Sequence, residues 1–133
     1  MPRLPLLVLA LASLAGCSAF GPSASDVSFE TTSTVYDPGD EVTARLVNTT
    51  SGMLGYNLCF TTVEVRRGSW ERVDVTGESG LCNDIQYRLN SGEEARRVVV
   101  LPDDFLPGKY RLTTDVEFEG GERVEVTARF EVR

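Results

Sequence analysis

The stretch that decides the fold is YRLTTDVEFEGGERVEVTARFEV, residues 110–132. On both sides of Gly120-Gly121, apolar and polar residues alternate with a period of two, the pattern of a strand with one buried and one wet face. The predicted inward positions are Tyr110, Leu112, Thr114, Val116 and Phe118 in the first strand and Val124, Val126, Ala128, Phe130 and Val132 in the second. The stretch therefore predicts an antiparallel hairpin.

The parity of the two patterns predicts the length of the hairpin loop. A two-residue Gly-Gly loop would set Phe118 opposite Arg123 on one face, which contradicts the alternation. An odd loop over residues 119–121 brings apolar positions opposite apolar positions. We therefore predict a three-residue loop with Gly121 in the left-handed conformation.

Upstream of the hairpin, the same alternation and the turn residues between apolar runs predict six more strands. They cover residues 27–36, 41–48, 55–66, 70–76, 84–89 and 95–101, with turns at 37–40 and 67–69 and a loop at 77–80. The apolar residues of the strand at 55–66 change phase, for which we predict a bulge near Thr61-Thr62. No helical stripe is present after residue 26. The sequence predicts an all-β sandwich of seven or eight antiparallel strands over residues 27–133.

The N-terminal residues have the order of an export signal. Arg3 precedes an apolar run at residues 4–14, which is too short to cross a hydrocarbon core of ~30 Å as a helix. The run has the length of the central region of a secretory signal. The residues that follow, Leu14-Ala15-Gly16-Cys17, resemble the lipobox of bacterial lipoproteins.

The lipobox resemblance implies a lipid anchor. Residues 1–16 would be a signal peptide cut before Cys17, the Cys17 thiol would carry diacylglycerol, and residues 17–26 would form a flexible tether. Ser18 follows the cysteine, and in two-membrane cells a residue other than Asp there implies passage to the outer membrane. The alternative is an ordinary cleaved signal with an incidental cysteine.

The three cysteines divide into one anchor and one pair. With Cys17 assigned to lipid, Cys59 and Cys82 are left as a pair in an oxidising compartment. We predict a structural disulfide that pins the loop after the Trp70 strand. Two free buried thiols are the alternative.

Residues 27–133 resemble the immunoglobulin-like domains of bacterial envelope lipoproteins. The matching features are YDPGD at 36–40 leading into a strand that ends at Asn48, Trp70 after a hairpin, and PGKYRL at 107–112. The resemblance implies an immunoglobulin- or fibronectin-like sandwich. It also implies that Tyr110 takes the tyrosine-corner position, where its hydroxyl bonds back to upstream backbone. Trp70 is predicted to lie in the core or on a sheet face, with ligand stacking as the alternative.

The composition argues against catalysis and against nucleic acid. The chain has no histidine and Lys109 is its one lysine, which removes the usual acid–base, triad and zinc arrangements. A net charge of −7 argues against binding phosphate backbones. We predict no enzyme activity, cofactor or metal. The paired acidic residues Asp37/Asp40, Glu93-Glu94 and Asp103-Asp104 sit in predicted turns as caps, with a calcium site as the alternative.

The predicted function is that of a lipid-anchored envelope protein with a non-catalytic immunoglobulin-like domain. It would touch the membrane through the lipid on Cys17 and would bind a protein or glycan or serve structurally. The alternative is a proteinase inhibitor, because some bacterial inhibitors share the Pro-Gly-Asp opening and a strand ending in Asn. The triplet Asn48-Thr49-Thr50 matches a glycosylation sequon, which we interpret as coincidence.

Overall fold

Ten strands form the body of the domain in the computed structural model, which describes residues 21–75 and 82–133. They are β1 Ser28–Thr31, β2 Val35–Tyr36, β3 Glu41–Val47, β4 Leu54–Tyr56, β5 Thr62–Arg67, β6 Ser69–Val73, β7 Tyr87–Leu89, β8 Glu94–Val100, β9 Gly108–Phe118 and β10 Arg123–Val132. Two short 3-10 helices, Ala24–Asp26 and Leu58–Phe60, are the only helices in these ranges. The predicted signal peptide, Cys17 and the predicted loop at 77–80 lie outside the described residues.

The strands make two sheets, so the prediction of an all-β sandwich is confirmed. The smaller sheet has the order β1-β3-β8. The larger sheet runs β2-β10-β9, and the far side of β9 is shared by β4 and β5. On the sides of β4 and β5 that face away from β9, β7 pairs with β4 and β6 pairs with β5. β4 and β5 therefore pair with successive parts of the same edge of β9, and a gap in the sheet separates them.

The strand predicted at 27–36 is divided between the two sheets. β1 pairs antiparallel with β3, whereas β2 pairs parallel with β10, so the expectation of antiparallel strands throughout is wrong at this point. The chain crosses between the sheets at residues 32–34. The Thr31 hydroxyl donates to the Ser33 carbonyl oxygen, and the Ser33 amide donates to the Tyr36 hydroxyl. These local bonds replace ladder bonds and allow the crossing.

The strand predicted at 55–66 is divided too, and the predicted bulge at Thr61-Thr62 is wrong. The phase change of its apolar residues comes from the 3-10 helix Leu58–Phe60 between β4 and β5. The Asn57 side chain accepts from the Cys59 amide at 3.1 Å and caps this helix. The Thr61 hydroxyl donates to the Leu58 carbonyl oxygen at its other end. A capped 3-10 helix is therefore present in place of the predicted bulge.

The C-terminal hairpin has the register that parity predicts. Val116 lies opposite Val124. The Phe118 amide donates to the Glu122 carbonyl oxygen, and the Gly121 amide donates to the Phe118 carbonyl oxygen, each at 2.8 Å. Gly121 has a φ of +88°, which an L side chain rarely adopts. All ten predicted inward positions of the hairpin are buried except Val124, which is half-buried.

A row of aromatic rings runs through the core between the sheets. Phe105 stacks on Tyr110 with centroids 5.1 Å apart, Tyr110 stacks on Phe130 at 5.7 Å, and Tyr36 meets Phe130 edge-on at 5.6 Å. The Tyr110 hydroxyl donates to the Leu106 carbonyl oxygen at 2.7 Å, the backward bond of a tyrosine corner. Burial raises the pKa of Tyr110, so the donating proton is retained at ordinary pH.

Candidate functional site

The break between β4 and β5 opens a cleft on the outer face of the larger sheet. β4 pairs with β9 up to Val116, and β5 pairs with β9 from Thr113. Between them, no strand of the described residues pairs with Thr114 and Asp115 on this side of β9. The resulting cavity of about 450 Å³ lies within the size range of small-ligand sites. We call it the strand-break cleft, defined by Phe60, Ile85, Asp115, Glu117 and Glu125.

The walls of the strand-break cleft expose two large apolar side chains. Phe60 is 53% exposed on one wall and Ile85 is 54% exposed on the other. The Asn57 amide group ties the walls together, because it donates to the carbonyl oxygens of Asn83 at 2.8 Å and Ile85 at 2.9 Å. Gly55 lies beneath them, and a Cβ there would come within 2.6 Å of the Gln86 amide nitrogen, so that side chain would have to move.

The floor of the strand-break cleft carries opposed carboxylates. Asp115 on β9 lies directly opposite Glu125 on β10, and like charges in this position destabilise a sheet. Neither forms an ion pair with any residue of the two described ranges. Glu117 is paired with Arg123 at 3.0 Å. Asp115 and Glu125 therefore leave negative charge on the floor that no arginine or lysine of residues 21–75 and 82–133 pairs with.

The predicted disulfide is present beside the strand-break cleft. Cys59, in the 3-10 helix, is bonded to Cys82, with the two Cα atoms 5.6 Å apart. Cys82 lies between β6 and β7, so the bridge holds the connection after the Trp70 strand, as predicted. It also joins the wall that carries Phe60 to the segment that carries Ile85. The bridge thereby fixes the spacing of the two walls.

Trp70 lies half-buried on the outer face of the larger sheet, next to three arginines. The guanidinium carbon of Arg111 is 4.5 Å from the ring centroid, and those of Arg66 and Arg129 are each 5.8 Å away. Arg111 is held in place by Glu64 at 2.7 Å. Cation–π contacts of this kind stabilise the position of the ring. The indole therefore packs against arginine side chains on a sheet face, one of the two positions that the sequence predicts for it.

The Asn48 side chain connects three backbone groups by hydrogen bonds and is not a glycan acceptor. The residue is 0% exposed. Its amide nitrogen donates to the carbonyl oxygens of Gly52 at 2.8 Å and Leu89 at 2.9 Å, and its side-chain oxygen accepts from the Thr50 amide at 3.0 Å. A sugar could not be attached to this nitrogen in the folded domain.

Two of the acidic turn residues cap backbone, as the sequence predicts. An Asp40 side-chain oxygen accepts from the Asp37 amide at 2.7 Å, and a Glu93 side-chain oxygen accepts from the Asn90 amide at 2.9 Å.

In residues 21–75 and 82–133, no three His, Cys, Asp or Glu side chains are grouped so that they could hold a metal ion. No helix in these ranges is long and apolar enough to span a membrane.

Comparison with known proteins identifies a related family. The model of the bacterial Ig-like domain matches residues 23–131. No curated protein matches the chain.

Several solved structures are similar in outline at low identity. The sporulation control protein Spo0M from Bacillus subtilis is 19% identical with a TM-score of 0.44, over 81% of this chain and 49% of that one. PapD-like domain 7 of human CEP192 is 16% identical with a TM-score of 0.41, over 99% and 98%. The archaellum periplasmic stator protein FlaG from Sulfolobus acidocaldarius is 16% identical with a TM-score of 0.40, over 76% and 98%. The chain spans about half the length of the Bacillus protein.

Proposed function

Because the chain belongs to the bacterial Ig-like domain family, we propose that it is a lipid-anchored envelope protein whose sandwich is a non-catalytic binding module. The acyl chains on Cys17 hold it to the membrane, and the folded domain binds a protein or glycan partner. In a cell with two membranes, Ser18 directs it to the outer membrane.

The Cys59–Cys82 disulfide is the observation that carries the proposal. Disulfides form and persist in oxidising compartments outside the cytosol. With these two cysteines bonded to each other, Cys17 is the one cysteine left, and it stands at the last position of the lipobox motif. Two or three acyl chains give stable anchoring, whereas one gives only marginal binding.

The point where the chain enters the domain favours a defined orientation. A Cβ built on Gly21 would lie 3.6 Å from the Glu122 carboxylate, so the chain enters beside the β9–β10 hairpin loop. Gly21 is four positions after Cys17, and an extended chain over four positions reaches at most about 14 Å. The hairpin end of the sandwich would therefore face the membrane at short range. The excess of acidic residues keeps the domain itself from lying on anionic lipid.

Metabolic labelling with palmitate tests the anchor. Cells that express the full chain should incorporate label into it, and the Cys17→Ser variant should incorporate none because the acceptor thiol is gone. The matched control is Ser18→Ala, which keeps the lipobox cysteine and should label like the parent chain. An unlabelled parent chain, or a labelled Cys17→Ser variant, would contradict the proposal.

A further inference from the structure

We propose that the strand-break cleft binds a basic side chain, arginine or lysine, that a partner protein presents next to an apolar residue. This inference deepens the proposed binding function and rests on it. The cleft combines an apolar rim, a negatively charged floor and walls that are connected by a disulfide and by hydrogen bonds.

The strand-break cleft is preorganised for an incoming side chain. The Cys59–Cys82 bridge and the two hydrogen bonds donated by Asn57 connect its walls. On its floor, the Thr62 and Thr113 hydroxyls are hydrogen bonded to each other at 2.6 Å. A site whose groups are already fixed loses less conformational entropy when a ligand binds. Binding therefore requires little rearrangement of the cleft.

The charge of the strand-break cleft selects a cation. Four carboxylates line it, on Asp84, Asp115, Glu117 and Glu125, against the single guanidinium of Arg123. Arg123 is already engaged by Glu117. A cation placed between Asp115 and Glu125 would relieve their cross-strand repulsion, and a guanidinium can bind carboxylates in a bidentate manner. An anionic ligand would add to the repulsion.

The rim of the strand-break cleft favours a ligand with apolar neighbours. Phe60 and Ile85 are each more than half exposed and flank the charged floor. Residues that frame a charged contact and exclude water from it strengthen that contact. A peptide segment with a basic residue beside a leucine or similar side chain matches both features. A free inorganic cation would leave the rim uncovered.

Nuclear magnetic resonance titration tests the inference on the full mature chain in detergent micelles. The probe is the capped tripeptide Leu-Arg-Leu, with Leu-Gln-Leu and Leu-Glu-Leu as comparators. The arginine peptide should shift the amide signals of residues 113–117 and of Phe60 and Ile85 in a saturable way, and added salt should weaken the effect. Equal binding of the glutamine peptide, shifts confined to another surface, or no saturable shift would overturn the inference.

A charge-removal variant makes the test specific. Asp115→Asn combined with Glu125→Gln keeps the shape of the floor and should weaken binding of the arginine peptide by about fivefold. The matched control is Asp103→Asn with Asp104→Asn, which removes the same charge from an exposed loop and should leave the affinity unchanged. If both variants weakened peptide binding equally, the loss would come from the net charge of the domain, and the strand-break cleft would not be the binding site.

The same variant has a second readout. Since it removes two like charges that lie opposite each other, its melting temperature should equal or exceed that of the parent chain. A lower melting temperature would contradict the claim that the two carboxylates are uncompensated. Peptide binding and palmitate labelling are measured separately, so failure of this inference is distinguishable from failure of the lipid anchor.

Discussion

Replacing Asn48 with alanine is expected to lower the free energy of unfolding by about 3–5 kcal/mol. The Asn48 side chain is fully buried, and it links the end of β3 to the turn before β4 and to β7. Its loss removes the donor to the Leu89 carbonyl oxygen and the acceptor of the Thr50 amide, and it leaves the Gly52 carbonyl oxygen with the weaker bond from the Thr50 hydroxyl at 3.2 Å. Buried polar groups without partners cost more than the average hydrogen bond contributes.

Urea denaturation followed by circular dichroism would measure the effect of Asn48→Ala. The matched control is Asn90→Ala, since Asn90 is an exposed asparagine whose side-chain bond to Glu93 faces solvent. That control should lose no more than about 1 kcal/mol. If Asn48→Ala costs as little as the control, the stabilising role of the Asn48 hydrogen bonds is wrong.

Removing the disulfide should have the second largest effect. The bridge spans 23 positions of sequence, and in the chain-entropy model a loop of that size contributes roughly 3 kcal/mol. The double variant Cys59→Ser, Cys82→Ser should lose about that much because its unfolded chain is less constrained. The fixed spacing between Phe60 and Ile85 would be lost as well, so the affinity for the arginine peptide should fall even where the variant stays folded.

Guanidinium unfolding with and without a reducing agent would isolate the disulfide. The parent chain in the presence of reductant should unfold at the same midpoint as the double serine variant, and the variant should not respond to reductant. Unchanged stability of the parent chain under full reduction, checked by thiol titration, would show that the bridge does not stabilise the domain.

The local part of the fold could be predicted from the sequence, because a strand pattern with period two is visible without knowledge of partners. The alternation in residues 110–132 was sufficient for the inward face, the loop length and the conformation of Gly121. The register of this hairpin also determines that Asp115 faces Glu125. The opposition of Asp115 and Glu125 could therefore have been predicted from the sequence.

The gap between β4 and β5 could not be predicted, because its causes are tertiary. The phase change between Phe60 and Val63 is compatible with either a bulge or a turn. What selects the 3-10 helix is the Asn57 cap, together with hydrogen bonds and a disulfide to residues more than twenty positions away. The walls of the strand-break cleft come together only in the fold. β2, with two residues, is likewise too short to show its own period.

Asn48 shows that residues with the spacing of a known motif can have a purely structural role. The triplet at 48–50 has the spacing of a sequon, and the same spacing lets the Thr50 amide and hydroxyl donate to the Asn48 side chain. Only its burial, and its bonds to Gly52 and Leu89, distinguish the structural role. The reason for an asparagine at the end of β3 is therefore a bonding pattern that spans 41 positions of sequence.

The intact mass of the protein purified from the membrane fraction is the most direct test of the lipid anchor on Cys17. The proposed anchor predicts a chain that begins at Cys17, carries the mass of a diacylglycerol group with or without a third acyl chain, and has lost two hydrogens to the Cys59–Cys82 bond. An unmodified chain that begins at another residue would contradict the lipid anchor and, with it, the proposed place of this domain in the cell envelope.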